Sequence, residues 1–504
     1  MSTKPLLRDG ETVGVYLNRV AQFYDGHFIN LADQLARWHE DRGQVDHSIE
    51  YWSMHQGQKN HLIDSLRVQA MLKSPYIGHK EMLEPHLQWS ADHAVSLEDD
   101  DYVRFRPYVG DRKIRIGYAC CWFNSATIRG QGIPFIAEHD RYKFSVVGYS
   151  LGPCDNSITR HFDDFFDVHA LSDAQLARKI REDEIDIFIE LTGFSPHHRF
   201  GTMGARCAPV QVSYLNHTGT SGVKNVDYIL ADPIAAPPGI DPHFTEKVYR
   251  LPSTFFVFNY DWDEFPKVNA PPHLKNGYIT FGCFGSQSKV NDAVIKLWAD
   301  ILQAVPDSRL FLRNMGLASL ENRKFMERRF ARWGIPSHRL RLQPGGAREE
   351  IKENYNEVDI SLDTWPYCGG NTIAESQWMG VPVISLKGDR FPQAYGASLL
   401  HASGCEELAA NTPENYVDIA KRLAADSDRI VRYRNNLREM MVKHGFGDAV
   451  RFARDLEAAY VDMMRRCFGL SALPAPSIAN TEKSNGSSAS MAAQGISKGR
   501  VGSQ

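Results

Sequence analysis

Two series of short apolar, β-rich runs, each alternating with amphipathic helical segments, constrain this chain more than any other feature. The first comprises Ile114–Cys121, Phe144–Ser150, Asp186–Leu191, Pro209–Leu215 and Val226–Ala231, with a helical pattern from Ser172 to Glu182 between its second and third runs. Strands that alternate with helices pair in parallel, because only a crossover of helical length returns the chain to the same sheet edge. The turn-rich stretch Phe265–Gly277 interrupts the pattern. It restarts with Tyr278–Phe284, Arg309–Arg313, Arg339–Leu342, Asp359–Asp363 and Pro382–Leu386, and with helices such as Val290–Val305. The expected fold class is α/β, with two doubly wound parallel sheets over residues 111–270 and 271–470. Domains of this kind that face each other leave a cleft beyond the strand C-termini, where open α/β sheets bind ligands.

The flanks read differently. Val13, Leu17, Val20, Ala21 and Tyr24, then Leu31, Leu35 and Trp38, then Leu62, Leu66 and Ala70 recur at helical spacing, so residues 1–110 form a small all-helical region. No motif repeats at a fixed period there, and tetratricopeptide repeats are not claimed. A terminal helix is expected from Asp448 to Phe468. Residues 471–504, rich in Ser, Ala, Gly and Asn, are expected to be a disordered tail.

With 57 basic against 61 acidic residues among 504, the chain has a formal charge of −4 and lacks the basic balance that phosphate-backbone binding requires. No nucleic-acid partner is expected. No run of apolar residues is long enough for a membrane span, and the N-terminus lacks signal-peptide chemistry. The 8 Cys lie mostly in apolar segments with no Cys-x-x-Cys spacing, the pattern of reduced, buried thiols. A cytoplasmic location is the expectation.

The sharpest chemical signal is Asp363-Thr-Trp-Pro-Tyr-Cys-Gly-Gly-Asn-Thr-Ile-Ala-Glu-Ser-Gln-Trp-Met-Gly-Val-Pro382. A strand ends at Asp363 and a helix begins near Thr372. Gly369 and Gly370 permit close backbone approach, and amides at Asn371 and Thr372 favour a phosphate. Alone, the segment reads equally as a plain helix cap with a tight turn. The second signal is Gly282-Cys-Phe-Gly-Ser-Gln-Ser-Lys289, where a lysine leaving the first strand of the second domain either neutralises a diphosphate or is solvated at the surface. Together they indicate a nucleotide-type ligand.

The stretches Pro209–Gly222, Val226–Asp232, Tyr249–Phe256 and Gly369–Pro382 resemble the inverting glycosyltransferase family of O-linked N-acetylglucosamine (O-GlcNAc) transferase, especially bacterial members. The similarity runs in order from about Ile114 to the end of the terminal helix. It implies a GT-B fold of two facing Rossmann-like domains, a UDP-sugar held mainly by the second, and an acceptor presented from the first. It also implies that Lys289 and Thr372 match the residues beside the UDP phosphates. Asn371 replaces a histidine of the animal enzymes, and Arg348 stands where they carry a lysine lining the uridine site. Neither cofactor nor metal is implied, the lysine and helix amides taking a cation's place.

The expected activity is transfer of N-acetylglucosamine from a UDP-sugar to Ser/Thr hydroxyls of a protein acceptor. A bacterial surface or flagellar protein is an acceptor by resemblance only. Two departures bear on the acceptor base: one family histidine falls on Ala126, and a Gly-His-Thr turn reads Gly193-Phe-Ser195. His197, His198 and His217 lie in loops after strands and either face the cleft or are satisfied loop residues. His217 is the preferred base because its loop coincides with the family's Gly-Thr-Ser-Gly segment. Two rival readings are UDP-hexose transfer to Asn or to a glycan or small molecule, and a non-catalytic UDP-sugar-binding adaptor.

Overall fold

The computed structural model describes residues 28–54, 59–97, 105–110, 112–152, 154–259 and 265–470. The helical pattern from Val13 to Tyr24 and the segment 471–504 lie outside them. Strands β1 (Ile114–Cys120), β2 (Phe144–Ser150), β3 (Asp164–Asp167), β4 (Ile187–Glu190), β5 (Val210–Ser213), β6 (Tyr228–Ala231) and β7 (Lys247–Arg250) form one sheet in the order β3-β2-β1-β4-β5-β6-β7. Strands β8 (Thr280–Cys283), β9 (Arg309–Asn314), β10 (Leu340–Pro344), β11 (Ile360–Leu362), β12 (Val383–Leu386) and β13 (Ala409–Ala410) form the second, in the order β10-β9-β8-β11-β12-β13. Every pairing is parallel. The chain therefore has two Rossmann-like domains in the GT-B arrangement.

Strands β4, β5, β6, β8 and β12 are buried along their whole length, which is why they read as continuous apolar runs. The strands without a clear sequence signal are β3, β7 and β13. All three lie at sheet edges, where one side is uncovered: β3 is Asp-Phe-Phe-Asp, β7 is Lys-Val-Tyr-Arg and β13 has two residues.

Helices α1 (Phe28–Glu40), α2 (Val45–Ser53), α3 (His61–Met71) and α4 (His79–His93) pack successively in the N-terminal region. This region touches both domains. Ser65 on α3 hydrogen-bonds His198 of the first domain at 2.8 Å. In the second domain, Arg329 donates to the Arg42 carbonyl at 2.9 Å and Arg390 to the Ser74 carbonyl at 2.7 Å. The site-bearing helices that follow are α5 (Ala126–Gln131), α6 (Asp173–Glu182), α7 (Asp292–Ala304), α8 (Arg348–Asn354) and α9 (Asn371–Trp378).

Terminal helix α10 (Ala449–Cys467) returns to the first domain, with Glu457 accepting from the Asp140 amide at 2.7 Å and Tyr460 meeting Tyr118 at 3.1 Å. The domains are thus tied at the rear, and one apolar core runs through both. All eight cysteines are free, but Cys467 is exposed, because it ends the terminal helix, and only five are fully buried.

Candidate active site

The second domain's half of the site forms where β8 and β11 end. Asp363, just past β11, is buried and accepts from the Thr364 amide at 2.9 Å, the Gly369 amide at 2.7 Å and the Ser385 hydroxyl at 2.6 Å. Burial pushes its carboxyl up to about 6, against those three donors. These bonds fold the loop back so that Gly369 lies beside the start of α9. A Cβ on Gly369 would fall 2.2 Å from Thr372 Oγ1 and 3.1 Å from Asp363 Oδ1, so a larger residue must turn one of these side chains away. Gly370 precedes α9 and its carbonyl accepts from the Ile373 amide at 3.1 Å, while the opening amides of Asn371 and Thr372 come before any intrahelical acceptor.

Lys289 enters this loop from the opposite side. Its Nζ donates to the Cys368 carbonyl at 2.8 Å and lies 4.4 Å from the centre of the Tyr367 ring. Desolvation lowers its ammonium to about 8, with Asp363 acting in the opposite sense. The structure thus brings Lys289, Gly369, Gly370, Asn371 and Thr372 together in one concave turn. Arg348, at the start of α8, is near this group but is paired at 2.9 Å with Glu375, which lies one turn into α9.

The first domain supplies the facing wall. Ala126 begins α5, capped by the Ser125 hydroxyl, which accepts from the Ile128 amide at 3.2 Å. Glu190, at the end of β4, is fully buried. It accepts from the amides of Thr192 at 3.0 Å, Gly193 at 2.9 Å and Arg199 at 3.4 Å, which shapes the Gly193–Ser195 turn. Burial pushes its carboxyl up to about 7.

His217 does not stand on an open cleft wall. It is 2% exposed, and its ring packs against Phe194, Phe200 and His86 at 4.9, 5.9 and 5.6 Å. Nε2 lies 2.9 Å from the Thr220 carbonyl, which can only accept, so Nε2 carries the proton. Nδ1 is buried without a partner. Burial lowers the imidazole to about 4. His198 is likewise turned from the cleft, its Nε2 bonded to Ser65, and His197 is exposed in the left-handed region at φ +69°. The physical reason is α4, whose Trp89 and His86 cover these loops and draw both imidazoles into the helical interface.

Sequence reasoning missed Asp363 as the anchor of the glycine loop and Glu190 as the organiser of the facing turn.

A family model described as glycosyl transferase family 41 matches residues 78–270 and 268–456. The chain belongs to that family. Among its family-41 relatives, a Solanum lycopersicum protein described as a probable UDP-N-acetylglucosamine–peptide N-acetylglucosaminyltransferase SPINDLY is 34% identical over 340 residues, covering 66% of this chain and 36% of the relative. An Arabidopsis thaliana protein described as the corresponding probable enzyme SEC is 28% identical over 372 residues, covering 70% and 37%. This family-41 chain thus spans well under half the length of these curated relatives. The solved structure of an O-GlcNAc transferase mutant from Thermobaculum terrenum is 30% identical with a TM-score of 0.82, covering 90% of this chain and 87% of that one. No described helix is long and apolar enough to cross a membrane.

Proposed function

We propose that this family-41 chain is an inverting, metal-independent transferase that moves N-acetylglucosamine from UDP-GlcNAc to Ser or Thr hydroxyls of a protein acceptor. The observation that carries the reading is the convergence of Lys289 with the first turn of α9 around Gly369 and Gly370. In-line attack on the anomeric carbon leaves charge on the departing diphosphate. A prepositioned ammonium and helix-start amides stabilise that charge without reorganisation. Arg348 and Glu375, beside that turn, line the nucleoside side. The plant relatives are described as probable UDP-N-acetylglucosamine–peptide N-acetylglucosaminyltransferases and the bacterial neighbour as an O-GlcNAc transferase, which supports the sugar and, from the plant relatives, a peptide acceptor.

In this reading the acceptor proton passes to His217, which requires the packing of His86, Phe194 and Phe200 over its ring to part and admit the acceptor hydroxyl to Nδ1. Its Nε2–H is committed to Thr220, so Nδ1 supplies the free lone pair, and the ring is neutral at physiological pH. The acceptor loop reaches the donor loop through Leu72, which packs with Tyr367 and whose Cδ2 lies 3.0 Å from a Cβ placed on Gly219.

The decisive experiment incubates the purified chain separately with UDP-GlcNAc, UDP-glucose and UDP-galactose in the presence of EDTA. UDP release and the mass of a Ser/Thr-rich or Asn-containing acceptor peptide are followed together. The expected result is an N-acetylglucosamine-sized gain on Ser or Thr with an inverted anomeric centre. A hexose gain on Asn, or tight UDP binding without turnover of any donor, overturns the reading in favour of an Asn hexosyltransferase or an adaptor.

A further inference from the structure

The Asn371 side chain does not point into the turn that its own amide opens. Its Nδ2 donates to Thr127 Oγ1 at 2.9 Å, and its Oδ1 accepts from Gln131 Nε2. Both partners belong to α5 of the first domain, so these bonds cross the cleft at the lip of the donor-side helix. Thr127 and Gln131 lie one helical turn apart, which presents their polar ends to the same point. Gln131 is 3% exposed, so its amide has given up solvent for this contact. The approach is close but not crowded: a Cβ on Gly370 would sit 3.8 Å from Gln131 Nε2 and 4.0 Å from Phe258 Cζ.

The rear of the molecule is held by a different kind of contact. There α10 packs along the first domain through Glu457, Tyr460, Asp462 and Asp455, a broad attachment that persists through small rotations. On the cleft side the Asn371 amide meets two side chains, beside the Ser398 hydroxyl, which donates to Asp232 at 2.6 Å, and the packing of Phe255 and Phe256 on Phe391 and Tyr395.

We propose that Asn371, Thr127 and Gln131 form an interdomain latch that holds the cleft closed before the donor binds, with Thr127 and Gln131 as positioning residues for the donor site. Because the latch partner is the first residue of α9, closure fixes the helix start and its amides against the first domain. The inference rests on the donor reading above only for its effect on UDP affinity. A protein already closed avoids paying for closure when it binds, so breaking the latch lowers the apparent affinity by the fraction of molecules that remain competent.

The test uses the full chain and four proteins: wild type, the first-domain variant Thr127→Val/Gln131→Met, Asn371→Ala, and their combination. Neither first-domain substitution alters the donor-side turn, and both keep side-chain volume. UDP affinity is measured by calorimetry, and the radius of gyration of each ligand-free protein by small-angle scattering. The expected result is about a 3- to 10-fold weaker UDP affinity in the first-domain variant, the range set by one or two lost hydrogen bonds, at an unchanged melting temperature. Asn371→Ala shows a loss at least as large, and the combination is no worse than Asn371→Ala alone. Unchanged UDP affinity in the first-domain variant, or losses that multiply in the combination, overturns the latch.

If wild type binds no UDP, the donor reading fails and scattering decides alone. An increased radius of gyration in both latch-free variants then supports the latch, and profiles identical to wild type overturn it.

Discussion

The Nζ of Lys289 lies 2.8 Å from the carbonyl oxygen of Cys368, the residue immediately before the Gly369–Gly370 pair. That oxygen also accepts from the Tyr395 hydroxyl, so the lysine shares a neutral acceptor rather than owning a carboxylate. A diphosphate offers it far more charge. Burial holds its pKa down at about 8, against the pull of Asp363.

UDP affinity should therefore depend on pH through Lys289. The free amine loses its proton above about 8, whereas a bound diphosphate holds the proton on, so binding takes up a proton in alkaline solution. Calorimetry between pH 7 and 9.5 should show affinity constant at first and then falling by up to about tenfold per unit above 8. Lys289→Met should bind weakly at every pH with no alkaline limb. Turnover by Lys289→Ala should fall ~100–1000-fold with an unchanged unfolding transition. Near-wild-type turnover excludes the lysine from the leaving-group site.

The two neighbouring glycines should differ sharply when given a methyl group. At Gly369 the added carbon meets Thr372 Oγ1 at 2.2 Å and Asp363 Oδ1 at 3.1 Å, so Gly369→Ala must turn the Thr372 hydroxyl or displace the Asp363 anchor. A loss of about 1–3 kcal/mol in urea unfolding is expected, together with loss of UDP binding. At Gly370 the nearest atom is 3.8 Å away and φ is −95°, so Gly370→Ala should fold like wild type. Equal stability of the two variants would show that the loop is not held by the contacts described.

Acid should destabilise the fold before most carboxylates titrate. His39, His86 and His217 are held at about 4, 3 and 4, and His198 lies well below 6.5, all by burial. As pH falls through 6.5 the unfolded chain protonates these groups and the folded chain does not, so stability is lost towards pH 4. Glu190 and Asp363, raised to about 7 and 6, act in the opposite sense because the folded chain binds their protons first. Burial also lowers His61, His79, His139 and His161 and raises Asp41, Asp232, Glu375 and Asp455, so the lowered histidines outnumber the raised carboxyls and stability is expected to be lower at pH 5.5 than at pH 7. Urea unfolding at pH 7 and 5.5 checks the sign, and a flat or rising profile contradicts it.

The His217 ring separates chemistry from packing. His217→Ala should reduce turnover by ~100–10,000-fold at unchanged UDP affinity if Nδ1 takes the acceptor proton. His217→Phe keeps the contacts with Phe194 and Phe200 and should restore stability but not rate. An active phenylalanine variant would leave the ring a packing role only.

The parallel sheets and the donor loop were legible because their signals are local. A buried strand is apolar along its length, and glycine before a helix start is a sequence pattern. Edge strand β3, with acidic ends, carried no such signal. The orientation of the histidine loops was hidden for a different reason. Whether His198 and His217 face a cleft depends on α4, which lies far away in sequence and covers them with His86 and Trp89. The partnership of Asn371 with Thr127 and Gln131 spans the whole domain boundary, and no local pattern on either side encodes its partner.

The N-terminal helices should matter to the donor site, and Gly43 offers the test. It sits in the α1–α2 turn at φ +71°, and a Cβ there would lie 2.2 Å from the carbonyl oxygen of Val290, the residue after Lys289. Both the left-handed backbone and the close approach demand glycine. Gly43→Ala must therefore push the helical region from the second domain or move Val290. Nearby, the buried Arg329 guanidinium donates to the carbonyls of both Arg42 and Val290, so displacement of the turn loosens two bonds on one side chain. A loss of about 1–3 kcal/mol in stability is expected. UDP affinity should weaken with it, because Lys289 is carried by the same short turn that Gly43 abuts. Gly110, whose Cβ would meet nothing within 4 Å, is the matched control: it shares the positive φ but not the contact. If Gly43→Ala lowers stability no more than Gly110→Ala and leaves UDP affinity unchanged, the helical region is an appendage to the site rather than part of its support.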